Sequence, residues 1–178
     1  MTNKAVFLDR DGVINIDHSY VYKVEDFDFM EGIFEFCRHA KKLGYKLVVV
    51  TNQSGIGRGY FSEDDFSNLT HWMKQQFAAN QCEIDAVYFC PYHPEKALPR
   101  YLKDSDWRKP APGMLLQAMQ EFDLDPGESM MIGDRETDMQ AAEAAGIGRK
   151  ILLNTKVSAA SGIANEVWQS LKEGIERL

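Results

Sequence analysis

The sequence has 178 residues, 44% of them hydrophobic and 26% charged, which is typical of a globular protein that buries a core. Its formal net charge of −7 argues against nucleic acid or an anionic membrane as the main partner, and a phosphate site would need local positive charge. No apolar run is long enough to span a bilayer, and no secretory signal precedes the first strand. We therefore expect a cytoplasmic protein with reduced cysteines and, at this length, a single domain over residues 1–178.

A short buried strand near the N-terminus runs into two carboxylates. Residues 6–8 are all apolar, which favours a strand covered on both faces, and Asp9 and Asp11 follow it directly. Gly12 then allows a tight turn. Ligands of open α/β sheets bind beyond the carboxyl ends of the strands, so these aspartates are candidate catalytic residues. A polar Asp-Gly turn with no function would have the same sequence.

The segment of residues 13–30 has no regular period and carries polar and aromatic side chains, among them Asn15 and Asp17. A polar loop directly after candidate catalytic carboxylates is a candidate substrate loop. A surface connection whose aromatic rings pack on the body would have the same composition. Apolar residues at helical spacing then predict a helix over residues 32–43, and Gly44 ends it.

A second buried strand, residues 45–50, ends in hydroxyl and amide groups that can bind phosphate oxygens without adding charge. These polar residues are Thr51, Asn52, Gln53 and Ser54. Alternating glycines follow at residues 55–59 with Arg58 among them, and arginine is suited to bidentate phosphate binding. A solvated turn would explain the same run. A capping-box pattern at residues 62–65 then predicts the start of a helix.

The second half of the chain repeats this alternation of strands and charged ends. A strand at residues 84–90 leads into a long loop that ends at Trp107, and Arg108 and Lys109 follow it. A basic surface turn would also account for these cations. The remaining predicted elements are a helix at 114–122, a strand at 129–132 that runs into Asp134 and Asp138, a helix at 139–145, a strand at 150–153 and a C-terminal helix at 167–178.

Alternating strands and helices predict an α/β fold with a mainly parallel central sheet, in which the carboxyl ends of the strands share one rim. That rim would hold the carboxylates of Asp9, Asp11, Asp134 and Asp138 together with Lys109. Like charges packed this closely require a cation, and hard oxygen ligands favour Mg²⁺.

Four motifs in this order resemble those of the haloacid dehalogenase-like (HAD) phosphohydrolases. They are Asp9-x-Asp11-Gly12, Thr51-Asn52 after a strand, Lys109 before a helix, and Gly133-Asp134-x-x-x-Asp138. The resemblance covers the chain to about residue 153 and implies a three-layer Rossmann-like fold. The short spacing from Asp11 to Thr51 leaves no room for a large cap domain, so we expect a capless member.

The resemblance also implies an aspartyl-phosphate mechanism. Asp9 would attack phosphorus, and Asp11 would protonate the leaving group and then activate water. Mg²⁺ would be held by the Asp9 carboxylate, the Asp11 backbone carbonyl and Asp134. Asp138 would support the metal shell or orient Lys109.

Four longer stretches carry a narrower resemblance within the superfamily: Asp-Arg-Asp-Gly-Val-Ile-Asn at 9–15, Thr-Asn-Gln-Ser-Gly-Ile-Gly-Arg-Gly at 51–59, Cys-Pro at 90–91 and Arg-Lys-Pro-x-Pro-Gly-Met at 108–114. Together they resemble the D-glycero-D-manno-heptose 1,7-bisphosphate 7-phosphatases of ADP-heptose and lipopolysaccharide core biosynthesis. The histidinol-phosphate phosphatases are the close alternative, and a non-catalytic phosphate-binding protein is a third hypothesis. The partner would be a small phosphorylated sugar, and we expect a monomer. The expected contacts are Thr51, the Asn52 backbone and Lys109 for the reacting phosphoryl group, Arg58 and Arg108 for a second phosphate, and Asn15, Asp17 and Ser54 for sugar hydroxyls.

One departure from these relatives concerns zinc. Many of them bind a structural zinc through Cys-x-His and then Cys-x-Cys before Arg-Lys-Pro. This sequence keeps Cys90, but Tyr92, Ser105 and Trp107 occupy the other three positions, with His93 as a possible stray ligand. One cysteine and one histidine leave a tetrahedral zinc site incomplete, so we expect no zinc here.

Overall fold

The computed structural model describes residues 2–153 and 162–178. Six parallel strands form one sheet in the order β3-β2-β1-β4-β5-β6. The strands are β1 Lys4–Leu8, β2 Tyr45–Asn52, β3 Ala86–Cys90, β4 Met130–Gly133, β5 Arg149–Leu153 and β6 Glu166–Trp168. The helices are α1 Ile33–Lys42, α2 Ser54–Gly57, α3 Glu63–Ala79, α4 Gly113–Phe122, α5 Glu136–Ala144 and α6 Leu171–Ile175, with 3-10 turns at Val24–Asp26 and Pro99–Tyr101.

The sheet is buried on both faces, which makes the fold three-layered. Alternate residues of β1 show this, since Val6 and Leu8 pack into one apolar cluster and Ala5 and Phe7 into the other. The first cluster includes the buried faces of α1, α3 and α6, and the second includes those of α4 and α5. Because helices cover both faces of the sheet, the strands consist of near-continuous apolar residues rather than alternating apolar and polar ones.

The chain order of the sheet reverses at β1, which pairs with β2 on one side and with β4 on the other. Ligands of open α/β sheets bind at such a reversal, beyond the carboxyl ends of the strands. The residues that follow or end these three strands are Asp9, Thr51 with Asn52, and Asp134. The topology therefore brings three of the four sequence motifs to one rim.

The predicted fold class is confirmed, and so are the five predicted strands. The segments between β1 and α1 and between β2 and β3 hold no inserted cap domain, because the structure describes every residue of both and they contribute only short turns, α2 and α3. In the described part of the chain, no helix is long and apolar enough to cross a membrane.

The prediction for the C-terminal segment was wrong. Residues 166–168 form the edge strand β6, and the helix that follows covers only five residues, from Leu171 to Ile175. Trp168 is fully buried and lies edge-on to the ring of Phe36, with a ring separation of 5.7 Å. A three-residue strand is too short to show a period, so only its contacts with distant residues identify it. The first residues of the predicted tail, 157–161, lie outside the described residues.

A second difference is the short helix α2. The glycines at residues 55–59 predicted an open loop, whereas Ser54–Gly57 form one helical turn. Gly55 and Gly57 are buried there, and a Cβ atom on Gly57 would lie 2.4 Å from the carbonyl oxygen of Pro91. The glycines thus serve close packing of this turn against neighbouring loops.

Candidate active site

Three buried or half-buried carboxylates converge at the rim. Asp9 follows β1, Asp134 follows β4, and Asp138 lies in the first turn of α5. One oxygen from each of the three lies within 4.8 Å of the others. Hard oxygen donors gathered in this way suit a divalent cation such as Mg²⁺.

Lys109 is the cation that lies inside this acidic group. Its Nζ atom is 2.6 Å from Asp138 Oδ1 and 3.1 Å from Asp9 Oδ1, and it donates a hydrogen bond to the Val50 carbonyl at 2.9 Å. An ammonium group has three N–H donors, so these three contacts use all of them. A phosphoryl oxygen could contact Lys109 only by replacing one of the three acceptors.

The side chain of Asn52 fixes the backbone of Lys109. Its Oδ1 atom accepts a hydrogen bond from the Lys109 N–H at 3.0 Å, and its Nδ2 atom donates to the Lys109 carbonyl at 3.1 Å. This reciprocal pair joins the end of β2 to the segment before α4. The Asn52 side chain therefore positions Lys109, while its backbone remains the predicted phosphate contact.

The site carries more negative charge than Lys109 neutralises. Burial raises the pKa of Asp9 well above its usual range, and the nearby carboxylate of Asp138 adds to this rise. Burial and Asp138 likewise raise the pKa of Asp134 to about 6. Burial alone would lower the pKa of Lys109, but Asp138 and Asp9 outweigh it and raise that pKa. Carboxylates whose charge is only partly neutralised favour the binding of an additional cation.

Two carboxylates have oxygens free to bind that cation. Asp134 Oδ1 is buried and has no hydrogen-bond partner. Asp9 Oδ1 accepts from the Arg10 N–H and from Lys109, and no hydrogen bond within residues 2–153 and 162–178 engages its Oδ2. Both oxygens of Asp138 are occupied, by Lys109 and by the Arg135 N–H at 3.2 Å. Asp9 and Asp134 thus fit as ligands, and Asp138 fits better as the residue that holds Lys109.

Gly12 is required for the position of Asp134. Its φ of 94° lies in the left-handed region, and a Cβ atom there would lie 2.1 Å from Asp134 Oδ2. The glycine after the two aspartates of the first motif therefore makes room for the carboxylate of the fourth motif. The glycines of the two motifs, Gly12 and Gly133, are 121 positions apart in the sequence, yet the two motifs are in direct contact in the fold.

Asp11 is held by three side chains. Its Oδ1 atom accepts from Arg10 Nη2 at 2.9 Å and from Asn15 Nδ2 at 3.0 Å, while Gln53 Nε2 donates to Oδ2 at 3.1 Å. Gln53 also donates to Thr51 Oγ1 at 3.0 Å. Through these two bonds, Gln53 joins the predicted catalytic segment, which carries Asp11, to the predicted phosphate-binding segment, which carries Thr51.

A cavity of about 310 Å³ opens onto these residues. Asp9, Asp11, Lys109 and Asp138 are part of its lining. The same cavity is also lined by two arginines, Arg108 and Arg135, and by residues of the 13–30 segment and of α2. The rest of its lining consists of Asp17, Ser19, Tyr20, Asn52, Gln53, Ser54, Gly55 and Thr137.

The arginines concentrate positive charge in a protein that is acidic overall. Burial lowers the pKa of Arg108, and the positive charges of Arg58 and Arg135 lower it further, which places the three groups near one another. Arg135 also lies 3.5 Å from Asp17. Arg58 packs against the ring of Tyr20, with its guanidinium carbon 5.9 Å from the ring centre, and does not line the cavity itself.

The structure separates the predicted site residues into three groups. Arg58 and Asp134 form one of them, since neither lines the cavity, and Asp134 instead lines a second pocket that shares Asp17 with it. Asp9, Asp11, Asp17, Asn52, Ser54, Arg108, Lys109 and Asp138 line the cavity. Thr51 and Asn15 are buried beneath it, and Asn15 contacts Asp11 rather than the open space. Gln53, one of the predicted polar residues after β2, also lines the cavity. The sequence analysis gave no role to Arg10 or Arg135. Each is adjacent to a motif residue, so the signal for both was their position beside a strand end.

Comparisons with known proteins agree with this geometry. The model of the HAD-hydrolase-like family matches residues 106–170. D-glycero-alpha-D-manno-heptose-1,7-bisphosphate 7-phosphatase of Burkholderia mallei is 56% identical over 153 residues, which cover 86% of this chain and 81% of the relative. D-glycero-beta-D-manno-heptose-1,7-bisphosphate 7-phosphatase of Vibrio cholerae is 53% identical, over 87% of this chain and 83% of the relative. The chain belongs to this family of HAD-like phosphatases.

A solved structure supports the same membership. The D,D-heptose 1,7-bisphosphate phosphatase from B. bronchiseptica, crystallised with magnesium and phosphate, superposes with a TM-score of 0.84 at 28% identity and covers 98% of this chain and 97% of its own. The two sequence relatives above are named for different anomers of the sugar.

The loop that carries zinc in many family members has no zinc site here among the described residues. Cys90 is buried, and burial raises the pKa of its thiol, while hydrogen bonds from the Tyr92 backbone and the Ser105 side chain act against this rise. Trp107 donates its backbone N–H to Ser105 Oγ at 3.2 Å, and its ring packs edge-on against Tyr88. Hydrogen bonds and aromatic packing hold the loop instead.

His93 is not available as a replacement ligand in this arrangement. Its Nδ1 atom accepts hydrogen bonds from the backbone N–H groups of Glu95 at 3.1 Å and Lys96 at 2.9 Å. The only group of three or more potential metal ligands in the described part of the chain is the set of Asp9, Asp134 and Asp138. The residues present do not fit a structural zinc ion.

The pKa of Asp134 gives a stability prediction. Because this pKa is raised to about 6, ionisation of Asp134 destabilises the folded, metal-free chain as the pH rises from about 4 through 6, and the loss is complete at pH 7.5. Asp134→Asn should remove that loss and increase the free energy of unfolding at pH 7.5, by on the order of 1–3 kcal/mol. It should also abolish stabilisation by Mg²⁺.

Thermal unfolding with and without Mg²⁺, at pH 5 and at pH 7.5, measures both effects. The wild-type protein should gain more from Mg²⁺ at pH 7.5, because at pH 5 the ion must displace protons. Asp104→Asn, at an exposed loop position, is the matched control and should behave as wild type. Equal stabilisation of wild type and Asp134→Asn by Mg²⁺ would contradict the role given to Asp134.

Proposed function

We propose that this protein is a Mg²⁺-dependent phosphatase that removes the C7 phosphate of D-glycero-D-manno-heptose 1,7-bisphosphate through an aspartyl-phosphate intermediate. The observation that carries the proposal is one cavity lined both by the Asp9–Lys109–Asp138 group and by Arg108 and Arg135. The first set suits phosphoryl transfer, and the arginines suit a second phosphate. The names of the sequence relatives support the choice of sugar.

Asp9 is the proposed nucleophile. Its carboxylate attacks the phosphorus, the bond to the sugar oxygen breaks, and Asp11 gives a proton to the departing alkoxide. Asp11 then takes a proton from a water molecule that attacks the aspartyl phosphate, which releases phosphate and restores Asp9. Thr51, the Asn52 backbone and Lys109 are the proposed contacts of the phosphoryl oxygens.

Asp9, the Asp11 backbone carbonyl and Asp134 are the proposed ligands of Mg²⁺. When bound, the ion offsets the repulsion between the carboxylate nucleophile and the anionic phosphoryl group. Burial raises the pKa of Asp9 in the metal-free chain, so an additional cation is also what keeps the nucleophile ionised at neutral pH. Asp138 supports this arrangement by orienting Lys109.

The arginines supply selectivity for a bisphosphate. Arg108 and Arg135 line the cavity and anchor the distal phosphate in this proposal, and Arg58 adds positive charge beside Arg108. Asp17 and Ser54 are the proposed contacts of sugar hydroxyls. The amine of histidinol phosphate would meet these guanidinium groups as a like charge, which disfavours the alternative substrate.

The proposed reaction belongs to the ADP-heptose route to the lipopolysaccharide core. We propose that the enzyme acts there as a cytoplasmic monomer on a small phosphorylated sugar, with no nucleic-acid or membrane partner. The net charge of −7 supports the last part, since it opposes binding to anionic surfaces.

A panel of substrates tests the function. Heptose 1,7-bisphosphate, fructose 1,6-bisphosphate and histidinol phosphate are compared with Mg²⁺ present, and the first should have the highest kcat/KM. Turnover of histidinol phosphate alone would identify the alternative enzyme, and no turnover of any would favour a phosphate-binding protein. Asp9→Asn should abolish turnover while its circular dichroism spectrum and thermal unfolding remain those of a folded protein.

Replacement of Arg108 tests the distal phosphate contact. Arg108→Met should lower kcat/KM for heptose 1,7-bisphosphate relative to heptose 7-phosphate by roughly tenfold to a hundredfold, because a hydrogen bond to a charged group contributes about 1.5–3 kcal/mol. Arg100→Met changes an arginine that does not line the cavity and is the matched control. If Arg108→Met left the ratio of the two kcat/KM values unchanged, Arg108 would not be a contact of the distal phosphate.

Metal analysis tests the absence of zinc. Untagged protein exchanged into Mg²⁺ buffer should hold less than about 0.1 zinc ion per chain, because Cys90 has no partner thiolates or free imidazole in the described residues around it. A strong zinc chelator should leave the unfolding temperature unchanged. About one zinc ion per chain, lost in Cys90→Ser, would contradict this prediction.

A further inference from the structure

We propose that Arg10 is a positioning residue, which ties one oxygen of the Asp11 carboxylate in place and leaves the other directed to the cavity. The inference rests on the proposed function, in which Asp11 gives its proton to the leaving alkoxide. Arg10 occupies the position between the two aspartates of the first motif. Its own side chain does not line the cavity.

The burial of Arg10 is the first observation. The residue is 2% exposed, and its guanidinium lies between the rings of Phe27 and Phe66, at 5.8 and 5.9 Å from their centres. Its Nη1 atom is buried and has no hydrogen-bond partner. A buried charge with an unsatisfied donor is costly to stability, so stability alone does not account for an arginine here.

The hydrogen bonds of Arg10 identify Asp11 as the residue that it positions. Its Nε and Nη2 atoms both approach Asp11 Oδ1, at 3.3 and 2.9 Å. Within the described residues, Asp11 is the only acidic side chain in an ion pair with it. The fork of two N–H groups on one oxygen fixes the direction of the carboxylate as well as its place.

The two oxygens of Asp11 are consequently not equivalent. Oδ1 accepts from Arg10 Nε, Arg10 Nη2 and Asn15 Nδ2, which leaves no lone pair for a proton. Among the described residues, Oδ2 accepts a hydrogen bond only from Gln53, and Gln53 lines the cavity beside Asp11. The proton that Asp11 transfers is therefore carried on Oδ2, on the cavity side.

Arg10 also connects this carboxylate to the substrate loop. Its Nη2 atom donates to the Val21 carbonyl at 2.7 Å, and the neighbouring Ser19 and Tyr20 line the cavity with left-handed φ angles of 64° and 56°. Non-glycine residues adopt that conformation only when surrounding contacts impose it. One guanidinium group thus holds both the acid and a loop that would face the leaving group.

Leaving-group dependence separates positioning from a structural role. An alkoxide needs a proton to leave, whereas 4-nitrophenolate leaves without one, so only the first reaction depends on the orientation of Asp11. Arg10→Met should lower kcat/KM by about a hundredfold or more for the best alkyl phosphate of the panel and by less than about tenfold for 4-nitrophenyl phosphate. The comparison uses kcat/KM because this ratio reports only the steps up to the departure of the leaving group, so the later hydrolysis of the aspartyl phosphate does not affect it.

Arg10→Lys keeps the charge without the fork and should lie between wild type and Arg10→Met on the alkyl substrate. If Arg10→Met does not fold, kcat/KM for the same two substrates is compared in Arg10→Lys instead. The matched control is Arg149→Met, since Arg149 holds Glu166 through Nε and Nη2 at the amino edge of the sheet, far from the cavity. It should affect both substrates equally and weakly.

Equal losses on the two substrates in a folded Arg10 variant, or no loss on either, would overturn the proposal. In an Asp11→Asn background, Arg10→Met should cause little further loss on the alkyl substrate, because the two residues act as one unit. A wild-type protein that hydrolyses neither phosphate would instead refute the phosphatase function itself, so the two failures are distinguishable.

Discussion

The ion pairs of Lys109 with Asp9 and Asp138 are the interaction on which the rest of the site depends. They bring together the end of β1, the segment before α4 and the first turn of α5, three parts of the chain that are distant in sequence. One buried lysine cannot neutralise this many carboxylates, and the raised pKa values of Asp9 and Asp134 express the remaining repulsion. That residual charge is the physical basis for a divalent cation in the site.

The distribution of charge around the cavity explains how an acidic protein can accept an anionic substrate. Carboxylates and arginines line the same cavity, and among the described residues the only acidic partner of these arginines is the partly exposed Asp17, 3.5 Å from Arg135. Long-range repulsion from a net charge of −7 is screened within about a Debye length in physiological salt, so short-range contacts decide binding. A phosphorylated sugar with phosphate at both ends matches this arrangement.

Much of the fold was determined by the sequence alone. Apolar runs covered on both faces predicted the strands, since a parallel sheet between two helical layers needs them, and polar residues at the strand ends marked the rim. Asp9, Asn52, Lys109 and Asp138 were predicted from that pattern and meet at one cavity. Local sequence suffices for this part because alternating strands and helices imply a parallel sheet, and the carboxyl ends of parallel strands share one rim.

Only the tertiary structure decided the finer arrangement. The burial of Asn15 and Thr51, the two unequal oxygens of Asp11, the position of Arg135 and the strand β6 all depend on contacts between distant segments. Trp168 shows the reason most simply: nothing in its neighbours predicts a strand, and only the parallel pairing of residues 166–168 with β5 makes them one. Sequence period records which face of an element is apolar, whereas side-chain direction and distant packing are set only when the whole chain is folded.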